Sequence, residues 1–176
     1  FADLMNDSRT YGQLQTGQII RVGPQEYEVA LAVVEDHHVI NQGGVKFYVL
    51  PSDRGFNIKA FGAVGDEVSD DTSAIQMAYT VASGSAKLVY WPTGRYRTTA
   101  TIYVGPLVST DGDNASGVTI LKDHDGDGFV QSSSVSFGTN KSFAKNIAVL
   151  ATEDFINTGW GFRFINCVDM ELDNLL

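Results

Sequence analysis

Apolar and polar positions alternate along the first fifty residues. Gln18-Ile19-Ile20-Arg21-Val22 and Glu26-Tyr27-Glu28-Val29-Ala30-Leu31 flank a Gly23-Pro24 turn and predict two strands. Val39-Ile40 and Val45-Lys46-Phe47-Tyr48-Val49-Leu50, joined over Asn41-Gln42-Gly43-Gly44, predict a closing hairpin. Phe1, Leu4 and Met5 share helical spacing and predict one short helix. Pro51-Ser52-Asp53-Arg54-Gly55 has the composition of a linker and marks a first unit over 1–53.

The pattern then changes. Phe56-Asn57-Ile58-Lys59-Ala60-Phe61 predicts a strand broken by Gly62-Ala63-Val64-Gly65-Asp66. Ile75, Ala78, Tyr79 and Ala82 recur at i, i+3, i+4 and i+7 and predict a helix near 71–83, with Gly84 placed to end it. Strands follow at Lys87–Trp91, Arg95–Thr98 and Thr101–Val104, rich in β-branched and aromatic residues, and complete a second unit over 54–104.

Over 105–176 short strands alternate with polar, glycine-bearing turns. Val118-Thr119-Ile120, Ile147-Ala148-Val149 and Asn174-Leu175-Leu176 recur at roughly 28-residue intervals. Phe129-Val130 and Gly161-Phe162-Arg163-Phe164-Ile165 fall between them. This recurrence predicts a solenoid whose coils stack a shared core, with Val118, Ile120, Ile147, Val149, Phe162, Phe164 and Cys167 inward. A β-sandwich would produce similar strands. The chain stops on a strand without a polar cap, so its C-terminal end reads as truncated.

Composition narrows the function classes. The 176 residues carry 12 basic and 21 acidic side chains, a formal charge of −9, which argues against a phosphate-neutralising nucleic-acid surface. Eighteen glycines against four prolines, with 43% hydrophobic residues, suit a β-rich fold with many turns. No apolar run approaches the roughly 20 residues of a membrane span, so no membrane insertion is expected. Cys167 is the single cysteine and excludes an internal disulfide.

Three blocks carry a family resemblance. They are Phe56-Asn57-Ile58-Lys59-Ala60-Phe61-Gly62-Ala63-Val64-Gly65-Asp66, Asp70-Asp71-Thr72-Ser73-Ala74-Ile75-Gln76 and Val89-Tyr90-Trp91-Pro92-Thr93-Gly94-Arg95-Tyr96. In this order they resemble the N-terminal signature of the pectate-lyase-like superfamily of right-handed parallel β-helices. Glu67 departs from it, standing where the family usually has glycine. Asp36-His37-His38-Val39 and Gly43–Val49 resemble the small module that precedes this signature in phage tail-spike and tail-fibre proteins. The resemblance implies a mainly β chain: a small N-terminal mixed module, a capping helix, then the first coils of a right-handed parallel β-helix. It further implies a homotrimer on the virion tail, partnered by tail or baseplate proteins and recognising or depolymerising host surface polysaccharide as a lyase or glycosidase. A secreted polysaccharide lyase or epimerase is the alternative.

Each candidate for chemistry has a plainer reading beside it. Asp70, Asp71 and Thr72 stand at the helix start, where side-chain oxygens accept from free N–H groups and carboxylates meet the positive dipole end. A facing glycosidase pair would need separated carboxylates, so a capping role is expected. Asp123-His124-Asp125-Gly126-Asp127-Gly128 matches the opening of a calcium loop, with Asp123, Asp125 and Asp127 as ligands. Its twelfth position is Ser134 where a bidentate Glu is required, which weakens the cation reading in favour of a solvated turn. His37-His38 lacks further ligands nearby for a zinc site. Tyr90, Trp91 and Tyr96 are expected in packing contacts. Trp160, between Gly159 and Gly161, is the aromatic placed to be exposed and to stack on a sugar ring. Glu153 and Asp154 supply further carboxylates, and Asp169, Glu171 and Asp173 alternate outward against inward Val168, Met170 and Leu172. In polysaccharide-cleaving relatives the resemblance places catalytic acids on later coils, so no catalytic residue and no cofactor is assigned to this segment.

Overall fold

The computed structural model describes residues 1–85, 88–132, 142–151, 159–165 and 170–175. Residues 1–49 hold a short helix α1 (Ala2–Met5) and strands β1 (Ile19–Val22), β2 (Gln25–Val29), β3 (Val39–Ile40) and β4 (Lys46–Val49). The strands form one antiparallel sheet in the order β1-β2-β4-β3, with Ile19 opposite Glu28 and Val39 opposite Phe47. Tyr27, Val29, Phe47 and Val49 point to one face and are buried with Leu4 and Leu14. That face lies on the following segment, where the Tyr27 hydroxyl donates to the Ala60 carbonyl at 3.1 Å.

The remaining strands wind into a three-sided coil in which strands of successive turns pair in parallel. Side one is built from β5 (Phe56–Asn57), β7 (Leu88–Trp91), β10 (Ser109–Gly112), the first half of β13 (Ser142–Ala151) and β15 (Met170–Leu175). Side two holds β6 (Asp66–Asp70), β8 (Gly94–Thr98), β11 (Val118–Lys122) and the second half of β13. Side three holds β9 (Ile102–Val104), β12 (Phe129–Ser132) and β14 (Phe162–Ile165). The register advances one coil at a time: Tyr90 pairs with Asp111, Ile120 with Val149, and Ile147 with Leu175. This is a right-handed parallel β-helix, and the parallel pairing eliminates the sandwich alternative. Val118, Ile120 and Ile147 are buried in its bore, with Val149 and Phe162 packed against them. Cys167 lies outside the described residues. Leu172 belongs to the inward row yet is half exposed, because β15 is paired on one edge only among the described residues.

The bore holds a column of aromatic rings. Trp91 meets Tyr96 edge-on at 5.2 Å and Phe129 at 5.8 Å, and Phe129 stacks on Phe162 at 5.2 Å. Burying each such side chain contributes about 1.5–3 kcal/mol. At the bend inside β13, Asn146 adopts φ 61° and its amide donates to Asp111, while Asn174, directly above it with φ 51°, donates to Asn146 at 3.0 Å. Asparagine tolerates this left-handed geometry better than other residues with a Cβ.

Helix α2 (Thr72–Ser85) closes the first end. Its buried stripe is Ile75, Ala78, Tyr79 and Ala82. The Gln76 side chain does the work of a missing strand: its amide donates to the Tyr103 carbonyl at 2.9 Å and accepts the Tyr103 N–H at 2.8 Å. Tyr79 reaches into the bore, where its hydroxyl meets Thr110 Oγ1 at 2.7 Å and accepts from Trp91 Nε1 at 3.2 Å.

Two local expectations are corrected, and the Glu67 departure is located. The strand over Phe56–Phe61 stops after Asn57 and becomes a single 3₁₀ turn, Ile58–Phe61. The Asn57 side chain starts the turn by accepting from Lys59 N–H, and Gly62 at φ 111° ends it. Gly84 does not end α2 but sits exposed in its last turn, where glycine costs only about 1 kcal/mol. Glu67, at the family's glycine position, is held at φ 74° inside a bulge of β6.

Two stability outcomes follow from these contacts. Tyr79→Phe leaves the Trp91 N–H and the Thr110 hydroxyl without that partner inside the bore and lowers unfolding stability by about 1–3 kcal/mol, measured by denaturant titration. An unchanged midpoint would show that the buried network does not support the cap. Glu67→Gly relieves left-handed backbone strain of about 1 kcal/mol while losing a half-exposed ion pair to Arg95 at 2.9 Å. A net gain of about 0.5 kcal/mol is expected in the same titration. A net loss would rank the ion pair above the strain.

Candidate functional surface

The loop from Asp123 to Gly128 turns the chain from side two to side three, and a lysine organises it. Lys122 is buried, and its ammonium donates to the carbonyls of His124 at 2.9 Å and Gly126 at 2.8 Å. Two carbonyls that could face a bound cation therefore face a built-in one. The three acidic residues diverge. Asp123 accepts from Arg97 Nε at 2.6 Å, Asp125 is exposed, and Asp127 accepts from Trp160 N–H at 2.9 Å and Arg163 at 3.1 Å. Among the described residues, no three His, Cys, Asp or Glu side chains converge on a metal position. The Trp160 N–H and Arg163 hold the Asp127 carboxyl below the usual carboxylate range despite slight burial.

The next coil docks onto this loop. Gly128 N–H donates to the Trp160 carbonyl and Phe129 N–H to that of Gly161. With its backbone fixed in this way, the Trp160 indole stands 70% exposed at the corner beside the half-exposed Arg163 and its largely covered partner Asp127. An open aromatic face flanked by a charged donor and acceptor is suited to a sugar ring, whose C–H face stacks while its hydroxyls hydrogen-bond.

At the helix start, the Asp70 carboxylate accepts the Thr72 N–H at 3.0 Å and the Thr99 hydroxyl at 2.7 Å. Burial would raise its carboxyl, but hydrogen bonds from the Thr72 hydroxyl, the Thr99 hydroxyl and the Thr72 N–H hold it below the usual range. Asp71 turns the other way, accepting from Val64 and Gly65 N–H at 2.7 and 3.1 Å. Its own carbonyl receives the first helical bond, from Ile75. Burial raises the Asp71 carboxyl against those two hydrogen bonds. Asp71 thus ties a loop to the cap rather than closing the helix end with its side chain. That loop is tight: a Cβ on Gly65, at φ 73°, would lie 2.7 Å from the Tyr96 ring.

Side one carries a second polar cluster that the sequence did not reveal. Arg54 lies over the Tyr90 ring at 3.8 Å and donates to Asp113 at 2.7 Å. Asp113 also accepts the Tyr90 hydroxyl at 2.6 Å and the Thr93 N–H at 2.8 Å. Its partners are 20 to 59 positions away in the chain, so no local motif signals them. Beside it, a cleft of about 740 Å³ opens between the first sheet and the coil, lined by Phe1, Pro24, Asn57, Lys59, Val64 and Tyr90 among others. Glu171 and Asp173 are exposed at the far end of side one, while Glu153, Asp154 and Asp169 lie outside the described residues. His38 packs on Tyr48 and Phe61 and accepts from Val49 N–H, and burial lowers its pKa.

Burial alone would raise the Asp113 carboxyl, but its hydrogen bonds from Tyr90, Thr93 and Arg54 hold it at about 2, against 3.8 ordinarily. A lowered folded-state pKa contributes stability above the unfolded value and loses it as pH falls through the folded one. Unfolding stability should therefore drop between about pH 4 and about pH 2 by about 1–2 kcal/mol from this group, after discounting for its partly solvated position. Asp113→Asn should flatten that interval in a pH series of thermal melts. An unchanged acid limb would assign it to other carboxylates.

Comparison with known proteins agrees with this architecture. A glucan 1,3-beta-glucosidase of Cochliobolus carbonum is 31% identical over 136 residues, covering 65% of this chain and 17% of that protein. The mannuronan C5-epimerase AlgE3 of Azotobacter vinelandii is 36% identical over 105 residues, covering 56% of this chain and 5% of its own length. The chain thus spans only a small part of the curated relatives it matches. Among solved structures, ORF18 of Geobacillus virus E2 superposes with a TM-score of 0.50 at 21% identity, over 79% of this chain and 31% of that one. Residues 55–157 match the family described as rhamnogalacturonase A/epimerase, pectate lyase-like, and the chain belongs to that family.

Proposed function

We propose that this chain is the N-terminal part of a virion tail spike or fibre, a homotrimer whose β-helix engages host surface polysaccharide. Residues 1–53 serve as the attachment module, 54–104 as the cap and 105–176 as the first coils. The observation that carries the reading is the seating of the antiparallel sheet on the capped end, joined through Tyr27 and Ala60. An attachment module placed there leaves the sides of the coil uncovered, for glycan and for neighbouring copies. The exposed Trp160 with Arg163 and Asp127 supplies one such contact. Partners at the other end of the module would be tail or baseplate proteins, and the location is the outside of the particle.

The second reading, a secreted polysaccharide lyase or epimerase, is favoured by the curated relatives, named for a glucan and for mannuronan. Incubating full-length protein with capsular or exopolysaccharide separates the classes. Binding is expected in either case; new reducing ends, unsaturated uronate absorbance or a changed uronate epimer content by NMR mark an enzyme, and binding with none of the three marks an adhesin. Immunogold labelling should find the protein on phage tails, and labelling confined to particle-free medium would favour the secreted reading. Trp160→Ala should weaken polysaccharide binding without moving the unfolding midpoint, because the indole is largely outside the core. Unchanged binding would remove Trp160 from the contact.

A further inference from the structure

The three sides of the coil differ in charge. Side one presents Arg54, Asp111, Asp113, Lys145, Glu171 and Asp173. Side two presents Asp66, Glu67, Arg95, Arg97 and Asp123, several of them in ion pairs. Side three is different. Helix α2 carries no charged residue in its 14 positions, and none occurs from Thr98 to Thr110 or from Phe129 to Ser132. Tyr103 pairs in register with Val130, and Val130 with Arg163, so Arg163 is the first charge met along this outward row.

This neutrality is unusual for a solvated helix face, which normally carries charged side chains opposite its apolar stripe. Here the outward positions of α2 are Ser73, Met77, Thr80 and Gly84. Tyr103 stands beside them, 62% exposed, with Met77 at 39%. Gln76 is committed on both amide atoms to the Tyr103 backbone, so that backbone is held while the ring projects. Hollows of about 500 and 450 Å³ flank the ring, one lined by Thr72, Met77 and Thr101, the other by Thr80, Gly105 and Pro106. A projecting aromatic next to hollows gives one surface both the knob and the recess that self-association requires.

Electrostatics selects the occupant. Each copy carries a formal charge of −9, so copies brought together through side one or two would bury ion pairs and add like-charge repulsion. Side three can be desolvated without burying an ion pair and without bringing charged side chains of two copies into contact. We propose that side three, from α2 through Tyr103 to Val130, is the surface through which copies of this chain pack together. The proposal rests on the homotrimer reading and assigns its interface.

The test uses the full-length protein in analytical ultracentrifugation over a micromolar concentration series. Wild type should sediment as a trimer. Tyr103→Glu and Met77→Glu each place a carboxylate in the proposed contact. They should weaken assembly at least about tenfold, the scale of an unpaired charge buried at an interface. Both positions are solvent-facing in the single chain, so circular dichroism and the unfolding midpoint of the dissociated protein should stay native-like. Val68→Glu, on the edge strand of side two and 75% exposed, is the matched control and should leave the trimer intact. A trimer that resists both side-three variants but falls apart with Val68→Glu overturns the face assignment and keeps the trimer. A wild-type monomer at every concentration overturns both.

Discussion

A parallel β-helix has to close its first end, and this structure depends on how that is done. The first coil presents backbone groups with no strand beneath them and a bore lined with apolar side chains. Buried backbone groups left unpaired would each cost about 1–3 kcal/mol. Here α2 meets both demands. Gln76 takes up the Tyr103 N–H and carbonyl, and Tyr79 plugs the bore while joining Trp91 and Thr110.

Everything above the cap inherits its geometry. Trp91 is fixed against Tyr79 and Tyr96, Phe129 meets Trp91 edge-on, and Phe162 stacks on Phe129, so the aromatic column transmits the placement of the first coil to later ones. The loop that leads into α2 is held by Asp71 on Val64 and Gly65, and Gly65 lets the Tyr96 ring lie flat against it. The N-terminal sheet then covers the 3₁₀ turn beneath the cap, which gives Ile58, Ala60 and Phe61 their burial.

The polar groups are arranged on the outside of that core. The corner loop shows how an acidic run can be structural: Lys122 fills the carbonyl cradle, and two of its three aspartates are committed to arginines and a backbone N–H. What the loop gains is a fixed platform from which Trp160 projects. The three sides differ in the same way, with polar clusters on one and two and an uncharged surface on three from α2 to Val130.

Much of the fold was legible because periodicity reports which positions face a core. The alternating strands of the first unit, the i, i+3, i+4, i+7 stripe of α2, and the recurrence of Val118, Ile147 and Leu175 all reflect burial that any compact solution must satisfy. The exposure of Trp160 was legible from its flanking glycines for a related reason. What the sequence left open depends on contacts between distant positions. Asp71 was readable as a helix-start residue, but its carboxylate turns to Val64 and Gly65 only because the loop folds back over it. The strand expected over Phe56–Phe61 became a turn because Asn57 competes locally for the backbone and Tyr27 meets Ala60 from the module. The Arg54–Tyr90–Asp113 cluster joins residues brought side by side by coil stacking alone. One-dimensional patterns determine which residues are buried and in what element; which polar groups meet is decided by coil register, and that exists only once the chain is wound.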